Sequence, residues 1–161
     1  MERYDRQLRL EEWDQQKISD SIVTIVGLGA LGTISATSLA MVGIGTLNLV
    51  DYDTIELSNL NRQLLYRETD IGESKVSVCQ RELMKLNPDI TVKCFNTAIE
   101  EVPVNELEQS SVILDGLDTF QTRRWLNSFS IAKKKPLVSG GIYGFLGNIQ
   151  VVIPSQTPCL E

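Results

Sequence analysis

The stretch TIVGLGALG, residues 24–32, decides the fold of this chain: an apolar strand runs into Gly27-Leu28-Gly29-Ala30-Leu31-Gly32, a glycine turn that opens a helix. Its spacing is that of the dinucleotide-binding fingerprint, in which glycines let backbone N–H groups approach phosphate at a helix N-terminus. The turn alone does not choose among nucleotides, because any phosphate over a helix N-terminus satisfies it. The residues around it carry that choice.

Upstream, SIVTIV (21–26) is a continuous apolar run of the kind buried on both faces of a parallel sheet. Downstream, ALGTISATSLAMVG (30–43) reads as a small-residue helix ending at Gly43 and Gly45, and TLNLVD (46–51) as a second strand closing on Asp51. Together they make one βαβ unit with a right-handed crossover. Farther out, KVSVCQRELMKLNPD (75–89) reads as a helix, capped by Ser74 and stopped at Asn87-Pro88. ITVKCFN (90–96) and SVILDG (111–116) read as strands with the short helix PVNELEQ (103–109) between them. TFQTRRWLNSFSIAKKK (119–135) is a helix stopped by Pro136, followed by the strand PLVSG (136–140). GNIQVVIP (147–154) is expected to close the pattern as an antiparallel strand from a different part of the sheet. Residues 2–18 read as helical, with a break at Ser19-Asp20-Ser21. This alternation predicts a Rossmann-like α/β three-layer sandwich with a mostly parallel sheet, as one nucleotide-binding domain over residues 1–161.

Composition narrows the chemistry. A net charge of −6 argues against broad nucleic-acid or anionic-membrane binding, and no apolar run reaches the roughly 20 residues of a membrane span. The charged N-terminus lacks the apolar core of a secretory signal, so a soluble cytoplasmic protein is expected. There is no histidine, which removes Ser-His-Asp and Cys-His nucleophile activation and histidine metal ligands together. Catalysis is left to carboxylates, Lys, Arg, backbone dipoles or a bound metal. Cys79, Cys94 and Cys159 have no disulfide-like spacing, which fits a reducing compartment. Cys79 falls in a helical pattern and Cys94 in a strand pattern, so both read as small buried hydrophobes.

In open α/β sheets ligands sit beyond the carboxyl ends of the strands. Asp51 lies there, nineteen residues after Gly32, where an acidic side chain accepts from ribose hydroxyls. The polar stretch DYDTIELSNLNRQLLYRETDIGES (51–74) has too little periodicity for an element and reads as the functional loop. Arg62 within it and Lys75 just after it are each, taken singly, ordinary surface cations. Behind a glycine turn and a ribose-type Asp they read together as a polyphosphate clamp, a guanidinium fork beside a mobile point charge. A pyrophosphate is satisfied by the turn; a triphosphate needs that extra charge. Asp115 and Asp118 follow the fourth strand, and Asp118 is favoured as a Mg²⁺-side ligand over a helix cap, with Asp115 weighed below it.

The runs RYDRQLRL (3–10), IVGLGALG (25–32), LVDYDTIELSNLNRQ (49–63), IGESKV (71–76), LDGLDTFQTRRWLN (114–127) and PLVSGG (136–141) resemble the ThiF/MoeB/ubiquitin-activating (E1-like) adenylyltransferase family over nearly the whole chain. The resemblance implies ATP-dependent adenylation of the C-terminal glycine carboxylate of a ubiquitin-like or sulfur-carrier protein ending in Gly-Gly, with Mg²⁺ and release of pyrophosphate. It implies Gly27, Gly29, Gly32, Asp51, Asn59, Arg62 and Lys75 as nucleotide contacts, with Asp118 on the magnesium side. It also implies that Arg6 reaches the phosphates of a partner subunit across a homodimer or heterodimer interface.

Two departures from the family pattern stand out. Thr119 follows Asp118 where the family often has Asn, so a hydroxyl replaces an amide. Cys159 stands where many relatives begin a Cys-x-x-Cys half of a structural zinc site; one Cys cannot build a four-coordinate site, so Zn²⁺ is expected only in a longer chain. The resemblance therefore implies a truncated family domain. Two other readings stand beside the main one: a non-catalytic or inactive-fragment interaction subunit of such an enzyme, and an NAD-dependent oxidoreductase on the same glycine turn.

Overall fold

In the computed structural model, which describes residues 3–160, five parallel strands and one antiparallel strand form a single sheet. They are β1 (Ile22–Val26), β2 (Thr46–Val50), β3 (Thr91–Phe95), β4 (Val112–Asp115), β5 (Leu137–Tyr143) and β6 (Leu146–Val152). The spatial order is β3-β2-β1-β4-β5-β6. The chain winds outward from β1 to β3 and then crosses back to β4, so the switch point lies between β1 and β4.

Strand residues alternate between the two faces of the sheet, and this is what makes three layers. Val23, Ile25, Leu47 and Leu49 join one apolar cluster with Ala36 and Ala40 of α2 (Ala30–Val42) and Val76, Cys79 and Leu83 of α3 (Lys75–Leu86). Val26, Val50 and Ile113 join the other with Leu107 of α4 (Val104–Glu108) and Leu126 and Phe129 of α5 (Phe120–Lys133). No helix among the described residues is long and apolar enough to cross a membrane.

The final strand is antiparallel, as the sequence predicts, but it does not come from elsewhere in the sheet. It folds straight back on β5, with Tyr143 opposite Leu146 and Gly144, at φ 59°, opening a two-residue turn. Tyr143-Gly144-Phe145 carried that signal.

The long N-terminal helix does not form. Over the described residues the segment gives a 3₁₀ turn at Gln7–Arg9 and the short α1 (Gln15–Ser19), neither with a buried residue; residue 2 lies outside the described residues. Its side chains instead serve the end of α2. Gln7 and Gln15 donate to the Val42 carbonyl at 2.9 and 3.1 Å, and Tyr4 packs on Gly43 while its hydroxyl accepts from Asn87 at 2.8 Å. Carbonyls that helix geometry leaves without partners thereby acquire them. Two cap expectations also shift. Ser74 holds the N-cap position of α3, but its side chain makes no cap bond and donates to Asn96 Oδ1. The last long helix ends at Lys133, before Pro136, with Lys134 left-handed at φ 54°.

Cys79 is a core residue, as its sequence pattern suggests, whereas Cys94 is half-buried and packs against the same apolar cluster. Burial pushes the Cys79 thiol from 9.0 up to about 12 and Cys94 to about 11, so neither is a thiolate at neutral pH. The folded chain therefore keeps protons that the unfolded chain releases, and stability falls as pH rises from 9 toward 12. Urea unfolding across that window should show this fall, with a shallower slope in Cys79→Ala than in wild type.

Candidate functional site

A cavity of about 1180 Å³ opens over the carboxyl ends of the parallel strands, beside the switch point. Gly27, Gly29, Asp51, Asn59, Arg62, Lys75 and Asp118 all line it. Gly32, Arg6 and Cys159 do not.

The glycine turn has two separate duties. Gly27 has φ 87°, and a Cβ on it would lie 2.9 Å from the carbonyl oxygen of Gly116 at the tip of the neighbouring strand. A Cβ on Gly32 would lie 1.9 Å from the Gly27 carbonyl oxygen. Gly32 is thus a packing residue, needed so that α2 can sit against the turn, and not a wall of the cavity as its place in the fingerprint suggested. Gly29 is the N-cap of α2 and leaves the N–H groups of the first helical turn beside the cavity.

Asp51 ties this turn to the loop beyond β2. Its Oδ2 accepts from the Leu28 N–H at 2.6 Å and its Oδ1 from the Asp53 N–H at 2.8 Å. Burial raises its pKa above the usual carboxylate value, against the two N–H bonds and the charge of Lys75, which pull it down. Each oxygen keeps a further lone pair for an incoming hydroxyl. From the other side, the Tyr66 hydroxyl donates to the Leu28 carbonyl at 2.9 Å, so both polar groups of Leu28 are held.

Lys75 is nearly buried, with 7% of its side chain exposed, and its Nζ donates to Asp53 Oδ2 at 2.6 Å. Asp53 is half exposed, so the pair sits at the rim with further lysine donors directed by a carboxylate that solvent can stabilise. Arg62 is exposed and braced by bonds to the Ser58 carbonyl at 2.8 Å and Asn61 Oδ1 at 3.1 Å. Asn59 is buried in the 3₁₀ turn Leu57–Asn59, where its Oδ1 accepts from the Glu56 N–H at 3.1 Å; it shapes the loop that carries Arg62.

The two later carboxylates separate cleanly. Asp115 is fully buried as a side chain, accepting from the Leu117 N–H at 2.9 Å and the Ser139 hydroxyl at 2.6 Å, with Arg123 Nη1 at 3.6 Å. Asp118 is exposed on the cavity wall. Thr119 occupies the N-cap of α5, but its hydroxyl bonds to Thr122 instead of capping a backbone N–H. Among the described residues no group of three His, Cys, Asp or Glu could hold a metal ion. One open carboxylate suits Mg²⁺ shared with phosphate oxygens and water, not a closed protein cage. Cys159 packs on the second apolar cluster, and its carbonyl accepts from Gln150 at 2.8 Å.

Arg6 lies at the opposite end of α2 from the cavity, among the residues that seat on Gly43 and Val42. Thirteen helical residues separate those ends by about 20 Å, beyond the reach of an arginine side chain. Sequence reasoning missed Asp53, Tyr66, Arg123 and Ser139. Only Asp53, two residues after Asp51, had a local signal; the others meet the site through tertiary contacts.

Strand order, switch point and glycine turn define a Rossmann-like α/β domain with a polar cavity at its strand ends. The ThiF family model matches residues 4–161, and the chain belongs to that family. It is 40% identical over 156 residues to the sulfur carrier protein ThiS adenylyltransferase of Escherichia coli K12, covering 94% of this chain and 62% of that protein. It is 36% identical over 152 residues to the Nedd8-activating enzyme E1 catalytic subunit of Drosophila melanogaster, covering 86% of this chain and 34% of that one. Among solved structures, E. coli MccB with ATP superposes with a TM-score of 0.82 at 30% identity, covering 91% of this chain and 45% of that chain. The chain thus spans less than two thirds of the length of these relatives.

Proposed function

We propose that this chain forms the nucleotide-binding part of an enzyme that adenylates the C-terminal glycine carboxylate of a ubiquitin-like or sulfur-carrier protein, releasing pyrophosphate from ATP. The observation that carries the reading is the meeting of Asp51, Arg62, Lys75 and Asp118 around one cavity at the N-terminus of α2. Kinship with an adenylyltransferase for a sulfur carrier supports it, as does the likeness to a structure that contains ATP.

In this reading Asp51 accepts from the ribose, and the first turn of α2 and Lys75 face the phosphates. A C-terminal carboxylate has a pKa of roughly 3.5 and is ionised at neutral pH, so it attacks the α-phosphate without a general base. The absence of histidine is no obstacle to such a reaction. The obstacle is repulsion between two anions, and Arg62 and Lys75 offset it while positioning the tail for in-line approach. Asp118 would hold Mg²⁺, which when bound neutralises charge on the phosphate oxygens. Because Arg6 is remote from its own cavity, its contribution is assigned to the site of a second subunit, related or identical. An oxidoreductase using NAD would give Arg62, Lys75 and Asp118 no common task. A cytoplasmic location fits cysteines whose spacing is not that of a disulfide framework.

Carrier-dependent exchange of labelled pyrophosphate into ATP tests the proposal, with small proteins ending in Gly-Gly supplied one at a time. Exchange with at least one carrier, dependent on Mg²⁺, is expected. Binding of NAD in preference to ATP, with no carrier promoting exchange, would reject it.

A further inference from the structure

Two parts of the cavity wall come from different parts of the fold. Asp118 belongs to the loop leaving β4; Ile142, Tyr143 and Leu146 belong to the β5–β6 hairpin. The Arg123 side chain joins them. Arg123, on the first turns of α5, points back under the cavity with 19% of its side chain exposed. Its Nη2 donates to the carbonyl of Leu117, the residue before Asp118, and to the Gly140 carbonyl of β5 at 2.6 Å. Its Nη1 donates to the Ser139 hydroxyl at 3.1 Å. Asp115 beneath it provides the balancing charge at 3.6 Å and also accepts from Ser139 and from the Leu117 N–H. Leu117 is therefore fixed through both of its backbone polar groups, one by the aspartate and one by the arginine.

The structure assigns Arg123 a positioning role: with Asp115 and Ser139 it locks the Asp118 loop to the β5–β6 hairpin, so that these two parts of the cavity wall keep one spacing. The functional consequence rests on the adenylation reading, in which Asp118 serves the nucleotide in the cavity that the hairpin also lines. The lock itself does not. A guanidinium can engage three acceptors in one plane, whereas an ammonium on a shorter, unforked stem cannot hold the Leu117 and Gly140 carbonyls and Ser139 together. Asp115 is accordingly a counter-ion for Arg123 and not a second metal ligand.

Amide hydrogen exchange on Arg123→Lys tests the lock without any assay of activity. Exchange is expected to quicken about tenfold at Leu117 and at the β5 amides Gly140 to Ile142 together, while β1 and β2 keep their protection. Unchanged protection, or loosening of only one of the two segments, would overturn the role. Should Arg123→Lys fail to fold, Ser139→Ala removes one contact of the same lock, and the same paired loosening decides. A second readout is kinetic: Arg123→Lys should lower kcat for pyrophosphate exchange about tenfold or more with little change in the KM for ATP. If wild type shows no exchange with any carrier while the paired loosening is seen, the adenylation reading fails and the lock stands.

Discussion

Arg62→Ala and Asp118→Ala are each expected to lower carrier-dependent pyrophosphate exchange by about 10²- to 10³-fold, the usual scale for removing one charge-stabilising group from a transition state. Both side chains are exposed on the cavity wall, so thermal unfolding should be nearly unchanged and the loss should fall on chemistry. Arg6→Ala should match them if the arginine works across a subunit interface. Mixing Arg6→Ala with Asp118→Ala then regenerates one intact site in each mixed dimer. With random pairing about a quarter of wild-type activity returns, since half of the dimers are mixed and each has one good site. Full activity in Arg6→Ala would place Arg6 outside the reaction, an inactive Arg6→Ala that shows no recovery on mixing would rule out its action across an interface, and full activity in Asp118→Ala would remove that residue from the site.

Gly32→Ala is expected to cost about 3 kcal/mol or more, a large share of a typical domain's stability. The new Cβ would sit 1.9 Å from the carbonyl oxygen of Gly27, and since both parties are backbone, no side chain can swing away. Relief requires α2 to lift off β1 or the turn to open. Gly29→Ala is the internal control: its φ is −76° and the nearest foreign atom to a Cβ there is Gln63 Nε2 at 3.9 Å. It should cost about 1 kcal/mol or less, in line with Ala at an N-cap. Urea unfolding followed by tryptophan fluorescence measures both. Equal midpoints for the two variants would show that the close packing of turn and helix is not what Gly32 provides.

Much of the architecture was legible because burial writes itself into sequence period. IVTIV, TLNLV and VILD are short apolar runs of strands covered on both faces, and they fall where such strands occur. The glycine turn was equally plain, because only glycine fits a φ of 87° beside the Gly116 carbonyl. The N-terminal segment misled for the converse reason: helix-forming residues over 2–18 carry no apolar stripe, and their amides are drawn to the carbonyls ending α2. The hairpin was missed because its exposed tip, Ile142 to Leu146, looks apolar without the alternation of a half-buried strand.

The site divides along the same line. By itself the sequence determined the kinds of group available: glycines for a phosphate turn, Asp51 after the second strand, Arg62, Lys75 and Asp118 in polar surroundings, and no histidine. Residue type and position relative to a strand end suffice for that, because strand ends are where open α/β sheets place ligands. Only the tertiary structure decided which carboxylate faces the cavity. Asp115 and Asp118 are three residues apart, yet one is sealed against Arg123 and Ser139 and the other is open. It also decided that Lys75 is paired with Asp53, that Gly32 packs instead of lining, and that Arg6 stands at the far end of α2. These are contacts between residues distant in the chain, fixed by the order in which the strands assemble, and no local spacing encodes them.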